Sequence, residues 1–138
     1  TTGELRVRSD KLLAFQVDYW TDDADRLRIS VSRDSARVAV TLLRLRPSRT
    51  YHFEVRTVDD SGNLGPPTEG SFDTSSLPDE LARLRFVTIG TPTYGVSVFQ
   101  VYSDAFNGFV GVDSRGEVVW FYRTETAPQG FTRRQNGN

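Results

Sequence analysis

His52 is the only histidine among 138 residues, and it stands in "YHFEVRTV". An imidazole there would serve as a nucleophile or a general base near neutral pH. Period-two alternation turns it away from Tyr51 and Phe53, however, and the sequence offers it no obvious carboxylate or metal partner. It reads as an exposed strand position. Asp22, Asp23 and Asp25 form an acidic loop, but a calcium loop needs ligands at D-x-[DN]-x-[DN]-G with a distal Glu, and that spacing is missing. The loop reads as solvated. Asp59, Asp60 and Asn63 fit an Asx-turn cluster better than a metal cage. Cysteine is absent, which removes disulfides, thiolate zinc sites and thiol nucleophiles together.

Three Arg-x-Arg pairs, Arg6 with Arg8, Arg26 with Arg28 and Arg44 with Arg46, would make an anion stripe if they shared one face. Their alternation with apolar residues places them on the outer faces of strands, where charge also discourages edge pairing. Arg133 and Arg134 are equally undistinguished. Trp20, Trp120, Tyr94 and Tyr122 have rings that would stack on a sugar or an aryl group. Of these, Trp20 falls on the polar side of its strand and is the better candidate for a contact with a partner or between domains. No G-x-G-x-x-G, P-loop, G-x-S-x-G or H-E-x-x-H occurs. No catalytic, cofactor-binding or metal-ligating residue is therefore assigned.

The elements that would position these residues are strands. "KLLAFQVDYWTD" alternates, with Leu13, Phe15, Val17 and Tyr19 on one side and Ala14, Gln16, Asp18 and Trp20 on the other. "RLRISVS" places Leu27, Ile29 and Val31 inward. "RVAVTLLRLRP" sets Leu43 and Leu45 opposite Arg44 and Arg46. "YHFEVRTV" turns Tyr51, Phe53 and Val55 in, and "ELRVR" and "GSFDT" complete the set. Polar or Gly/Pro-rich connections at regular spacing argue for a β-sandwich over residues 1–76. "SSLPDELARLRF" at 75–86 is the joint, with the linker proper at 77–85, and in it "DELARL" makes one helical turn capped by Asp79.

From 86 to 138 the texture changes. "RFVTIG" and "VSVFQVYS" read as strands. "GFVGVDSRGEVVWFYRTE" reads as a hairpin whose turn, Asp113 to Gly116, is a type I turn closed by a left-handed glycine. On its second arm Val119 and Phe121 face one way and Val118, Trp120 and Tyr122 the other. Both faces are apolar, so both need cover, as in a stacked propeller blade.

Composition narrows the class of protein. Acids number 18 and bases 17, for a net charge of −1, and all bases but Lys11 are arginine. Nucleic-acid binding needs a basic face that this balance does not supply. No apolar run approaches the roughly 20 residues of a membrane span. Methionine is absent, so Thr1 is not a translation start, and a processed protein or a segment of a longer one is expected.

"LRLRPSRTYHFEVRTVDDSGN" resembles part of a fibronectin type III domain. The match rests on Leu45, Pro47, Tyr51, Phe53, Val55, Asp59, Gly62 and Asn63. The resemblance implies that Tyr51 packs its ring in the core with its hydroxyl on nearby backbone. Gly62 and Asn63 supply positive φ in the next turn. The whole order, sandwich, then "LPDELARL", then "GFVGVDSRGEVVWFYR", then "QGFTRRQNGN", resembles the N-terminal part of an arylsulfotransferase-type protein. The matched positions are Val112, Asp113, Gly116, Glu117, Val118, Val119 and Trp120, followed by Asn136, Gly137 and Asn138. Trp120 would then be packed in a blade core.

That resemblance implies a sandwich followed by a six-bladed propeller. The parent enzyme would move a sulfuryl group from an aryl sulfate to a phenol through a histidine in later blades. The expectation is an all-β chain: a fibronectin type III-like β-sandwich followed by propeller-like antiparallel strands of an incomplete blade. It would be exported to the periplasm or the extracellular space. Its partner would be the remainder of the propeller or another protein chain, with no cofactor, no nucleic acid and no membrane span. The rival reading is a secreted non-enzymatic module that binds or self-assembles through exposed strand edges.

Overall fold

A computed structural model describes residues 2–8, 14–22, 26–31, 37–87, 89–90 and 95–125, and among these lie nine short strands and one helical turn. Leu13, Asp23, Asp25, Tyr94, Arg133, Arg134 and the segment 136–138 lie outside the described residues. The fold is all-β, and among the described residues its sheets are antiparallel and none closes into a barrel. The chain divides into two compact units, Thr2–Ser76 and the residues from Leu77 onward.

In the first unit, β1 (Gly3–Arg8) pairs antiparallel with β4 (Arg37–Leu42), with Leu5 opposite Val40 and Val7 opposite Val38. The second sheet has the order β3-β2-β5-β6, built from β2 (Ala14–Trp20), β3 (Leu27–Val31), β5 (Thr50–Val58) and β6 (Thr68–Asp73). Alternation puts Val17 and Tyr19 of β2 and Tyr51 of β5 against Val40 and Leu42 of β4, joined by Leu45. Both sheets thus contribute to one core, the two-layer solution for strands with a single apolar face.

The expected alternation through "TLLRLRP" fails after Leu42. The strand stops there, and Arg44 takes a left-handed φ of 60°. That reversal leaves Leu43 52% exposed while Leu45 is 0% exposed, so the two leucines do not share a face. The chain then turns a corner past Pro47. Tyr51 holds it: its hydroxyl oxygen accepts the Arg46 backbone N–H at 2.9 Å, and its ring stacks on Phe72 with centroids 5.6 Å apart. Thr74 closes the far side, donating to the Arg46 carbonyl at 2.6 Å and accepting from the Arg49 N–H at 3.0 Å. In the β5–β6 turn only Gly62 has positive φ, 83°. Asn63 contributes in another way. Its backbone N–H and side-chain amide donate to the two carboxylate oxygens of Asp59, at 2.8 and 2.9 Å. This is the Asx-type cluster expected from its sequence.

In the second unit, α1 (Asp79–Ala82) begins after Pro78, which takes the N-cap position and has no side chain to bond the helix end. The expected cap, Asp79, stands in the first turn instead, favourably placed at the positive end of the short helix. Strands β7 (Val96–Tyr102), β8 (Asn107–Asp113) and β9 (Val118–Arg123) form an antiparallel sheet in chain order. "RFVTIG" is not a strand among the described residues, and Val87 and Ile89 are 83% and 95% exposed. The hairpin turn is as expected. The Gly116 N–H reaches the Asp113 carbonyl at 3.0 Å with Gly116 at φ 84°, and the Asp113 carboxylate accepts the N–H groups of Arg115 and Glu117.

The two arms differ from their simple alternation. A β-bulge shifts the register so that Gly111 faces Trp120 but Val112 faces Val118. Val118 therefore joins Phe121 on the face packed by Leu81, Phe106, Val110 and Val112, instead of sharing a face with Trp120 and Tyr122. The residues that cover this face come from the same chain: Leu77, Leu81, Leu84 and Phe86 of α1 and its flanks. On the opposite face Val98, Tyr102 and Tyr122 remain 41%, 73% and 59% exposed.

Candidate functional site

The outer face of β2 and β5 gathers most of the chemistry-bearing side chains of the first unit. Register explains why. Gln16, Asp18 and Trp20 on β2 stand directly opposite Arg56, Glu54 and His52 on β5, and Asp18 also stands opposite Arg28 on β3. Two carboxylates facing each other across a strand pair repel. Three arginines compensate. Arg28 grips Asp18 with two hydrogen bonds, Nε to Oδ1 at 2.8 Å and Nη2 to Oδ2 at 3.0 Å. Arg26 donates to Glu54 at 3.2 Å and lies 4.0 Å from Asp18, bridging the two acids. Arg56 donates through Nε to Glu54.

The consequence is a layered charge distribution. The Asp18 and Glu54 side chains are 3% and 10% exposed, whereas those of Arg26 and Arg28 are 46% and 59% exposed. The arginine stems lie over the acids and their heads stay wet. The Arg28 hydrogen bonds hold the Asp18 carboxyl below its ordinary value against the opposing effect of burial, and Arg56 does the same for Glu54. Depressed folded-state values mean that this stabilisation is complete above the ordinary carboxylate range and is lost as pH falls through the folded values. The first unit should therefore lose stability on acidification from pH near 4.5 and 3.8, the ordinary Glu and Asp values. Chemical denaturation followed against pH checks this, and Asp18→Asn should flatten the acid limb while lowering stability at neutral pH.

Trp20 continues the same row. The Arg26 guanidinium sits 3.9 Å from the centre of its ring, within cation–π range, and the His52 ring lies 6.1 Å away on the neighbouring strand. His52 does have a carboxylate neighbour, contrary to its sequence reading: Nε2 is 3.6 Å from Oδ1 of Asp22, whose side chain is 95% exposed. The loop after β2 brings them together, a proximity that strand alternation does not reveal. Ser71 stands opposite His52 on β6. Trp20 and His52 are each half-buried on this sheet face.

The remaining sequence candidates disperse. Arg6 pairs with Glu4 on the exposed side of β1, and Arg44 occupies the turn after β4. Arg46 is 9% exposed, so the third Arg-x-Arg pair does not lie on an outer face as a unit. Trp120 lies across Gly111, where an added Cβ would stand 3.3 Å from the Trp120 Cβ. Among the described residues no group of three or more His, Cys, Asp or Glu is placed to hold a metal ion. No described helix is long and apolar enough to cross a membrane.

Sequence reasoning missed the Asp18–Glu54 core of this surface. Both residues alternate with apolar neighbours and so looked like solvated outward positions. The signal that would have found them is the presence of arginines on the outward positions of adjacent strands, which becomes informative only once the register is known. Comparison with protein families matches residues 5–74, just over half of the chain, to the fibronectin type III domain. No curated protein matches the chain.

Proposed function

The chain belongs to the fibronectin type III domain family, and on that premise we propose that it is the non-catalytic N-terminal part of an exported arylsulfotransferase-like protein, acting as a binding or scaffold module. The observation that carries this reading is an order. A fibronectin type III unit is followed by the short helix after Pro78 and then by an antiparallel sheet whose Asp113–Gly116 turn opens onto Val118, Val119 and Trp120. The parent's sulfuryl transfer from aryl sulfate to phenol belongs, on this reading, to a histidine beyond this chain. The outer face around Trp20 and Arg26 is the module's contact surface, in keeping with the enrichment of Trp and Arg at binding hot spots. A second reading, a secreted module that binds or self-assembles through strand edges, is favoured by the exposure of Val98, Phe99, Tyr102 and Tyr122 in the second unit.

Intact mass and activity of the native polypeptide test the first reading. A product much larger than 15.5 kDa that turns over phenyl sulfate is the expected result. The 138-residue chain should show no turnover above a His52→Ala control. A native polypeptide of 15.5 kDa, or turnover by the short chain that the His52→Ala change abolishes, would overturn it.

A further inference from the structure

Burial across the second unit's sheet is graded. Every residue of β8 after Asn107 is buried, β9 is buried at its start and exposed at its end, and β7 is exposed at Ser97 to Gln100 and at Tyr102. Among the described residues β7 has a neighbouring strand on one side only. Val98 and Phe99, adjacent in sequence and therefore on opposite faces, are 41% and 46% exposed. Among the described residues, each face of this strand is thus partly open along one edge.

β7 also lacks the usual protection. Its sequence, VSVFQVY, has no charge, no proline and no glycine. Each of the other edge strands among the described residues carries at least one Arg, Asp or Glu. An uncharged edge rich in β-branched and aromatic residues is a template for another strand.

We propose that β7 is a homodimerisation edge that pairs antiparallel with β7 of a second copy of this chain. The occupant follows from the strand's self-complementarity. An antiparallel register centred on Phe99 sets Phe99 against Phe99 of the second copy and sets Val96 against Tyr102 at both ends, which are favourable cross-strand pairs. Ser97 meets Val101 and Val98 meets Gln100, and no charge is placed opposite a like charge anywhere along the strand. The same patch serves both copies, as a two-fold interface requires, and pairing continues the β7–β8 ladder into a sheet of double width. This inference makes specific the self-assembly reading above. Its failure leaves the arylsulfotransferase-like parentage untouched, because that is decided on the native polypeptide.

The test uses the 138-residue chain. Sedimentation velocity from low micromolar to submillimolar concentration should show a concentration-dependent shift to twice the monomer mass. Phe99→Lys, which would oppose two ammonium groups at the two-fold axis, should abolish it. Because Phe99 also stacks on Phe86, circular dichroism must show that this variant is folded, and a second measurement stands apart from it. The chain has no cysteine, so a single introduced thiol reports register. Phe99→Cys should oxidise to a disulfide-linked dimer. Ser103→Cys should not, because in this register the two thiols stand far apart along the ladder. A wild-type chain that stays monomeric throughout, a folded Phe99→Lys variant that still dimerises, or equal cross-linking of the two cysteine variants would each overturn the proposal.

Discussion

Gly108→Ala is expected to unfold the second unit while leaving the first intact. Gly108 lies in β8 opposite Arg123, with φ at 155°, and an added Cβ would stand 2.0 Å from the backbone carbonyl oxygen of Tyr122. No side-chain rotation relieves a contact with paired backbone, so either the β8–β9 ladder opens or the strand shifts. The expected loss is about 4 kcal/mol or more, in the range reserved for backbone clashes and comparable disruptions. The ladder it breaks carries Val110 against Phe121 and Val112 against Val118, which supply most of that unit's core. Each unit has one tryptophan, Trp20 in the first and Trp120 in the second. The measurement is therefore direct. In a Trp20→Phe background the fluorescence of Trp120 should report an unfolded environment, and in a Trp120→Phe background Trp20 should report a normal transition. A single native-like transition from Trp120 in the Gly108→Ala protein would contradict the described packing.

Leu45→Ala should have the largest effect in the first unit. Leu45 is 0% exposed and sits in the core formed by Val17, Tyr19, Val40, Leu42 and Tyr51. Removing a fully enclosed leucine side chain loses its transfer free energy and leaves a cavity, together about 3 kcal/mol. For a unit of this size that lowers the Tm by roughly 12 to 24 °C. Leu43→Ala is the internal control. Two residues earlier and 52% exposed, Leu43 should contribute within about 0.5 kcal/mol when truncated. Thermal unfolding followed through Trp20 separates the two. Equal losses would mean that the alternating reading of "LLRLR" was right and the turn at Arg44 wrong.

That contrast shows where sequence reading reached its limit. Phe15, Val17 and Tyr19 were legible as an inward row because period two is a local property of extended backbone, and all three are buried. The Tyr51 corner was legible through the resemblance of "LRLRPSRTYHFEVRTVDDSGN" to a fibronectin type III domain, and the hydroxyl meets the Arg46 N–H. The Asp113–Gly116 turn was legible because only glycine adopts its φ of 84° without strain. Each of these is decided within about ten residues of chain, the range over which steric preference and hydrogen bonding outweigh distant contacts.

The sequence by itself therefore determined the all-β class, the sandwich at the start of the chain and the hairpin near its end. Only the tertiary structure decided the rest. It set the bulge that moves Val118 to the face of Phe121 and left residues 85–90 out of the sheet among the described residues. It placed Asp18 against Glu54 beneath three arginines and brought Asp22 to His52. The physical reason is shared. Strand register, bulges and loop approach are fixed by contacts between segments far apart in the chain. A single residue of shift exchanges the two faces, so local periodicity shows that a face exists without showing what lies across from it.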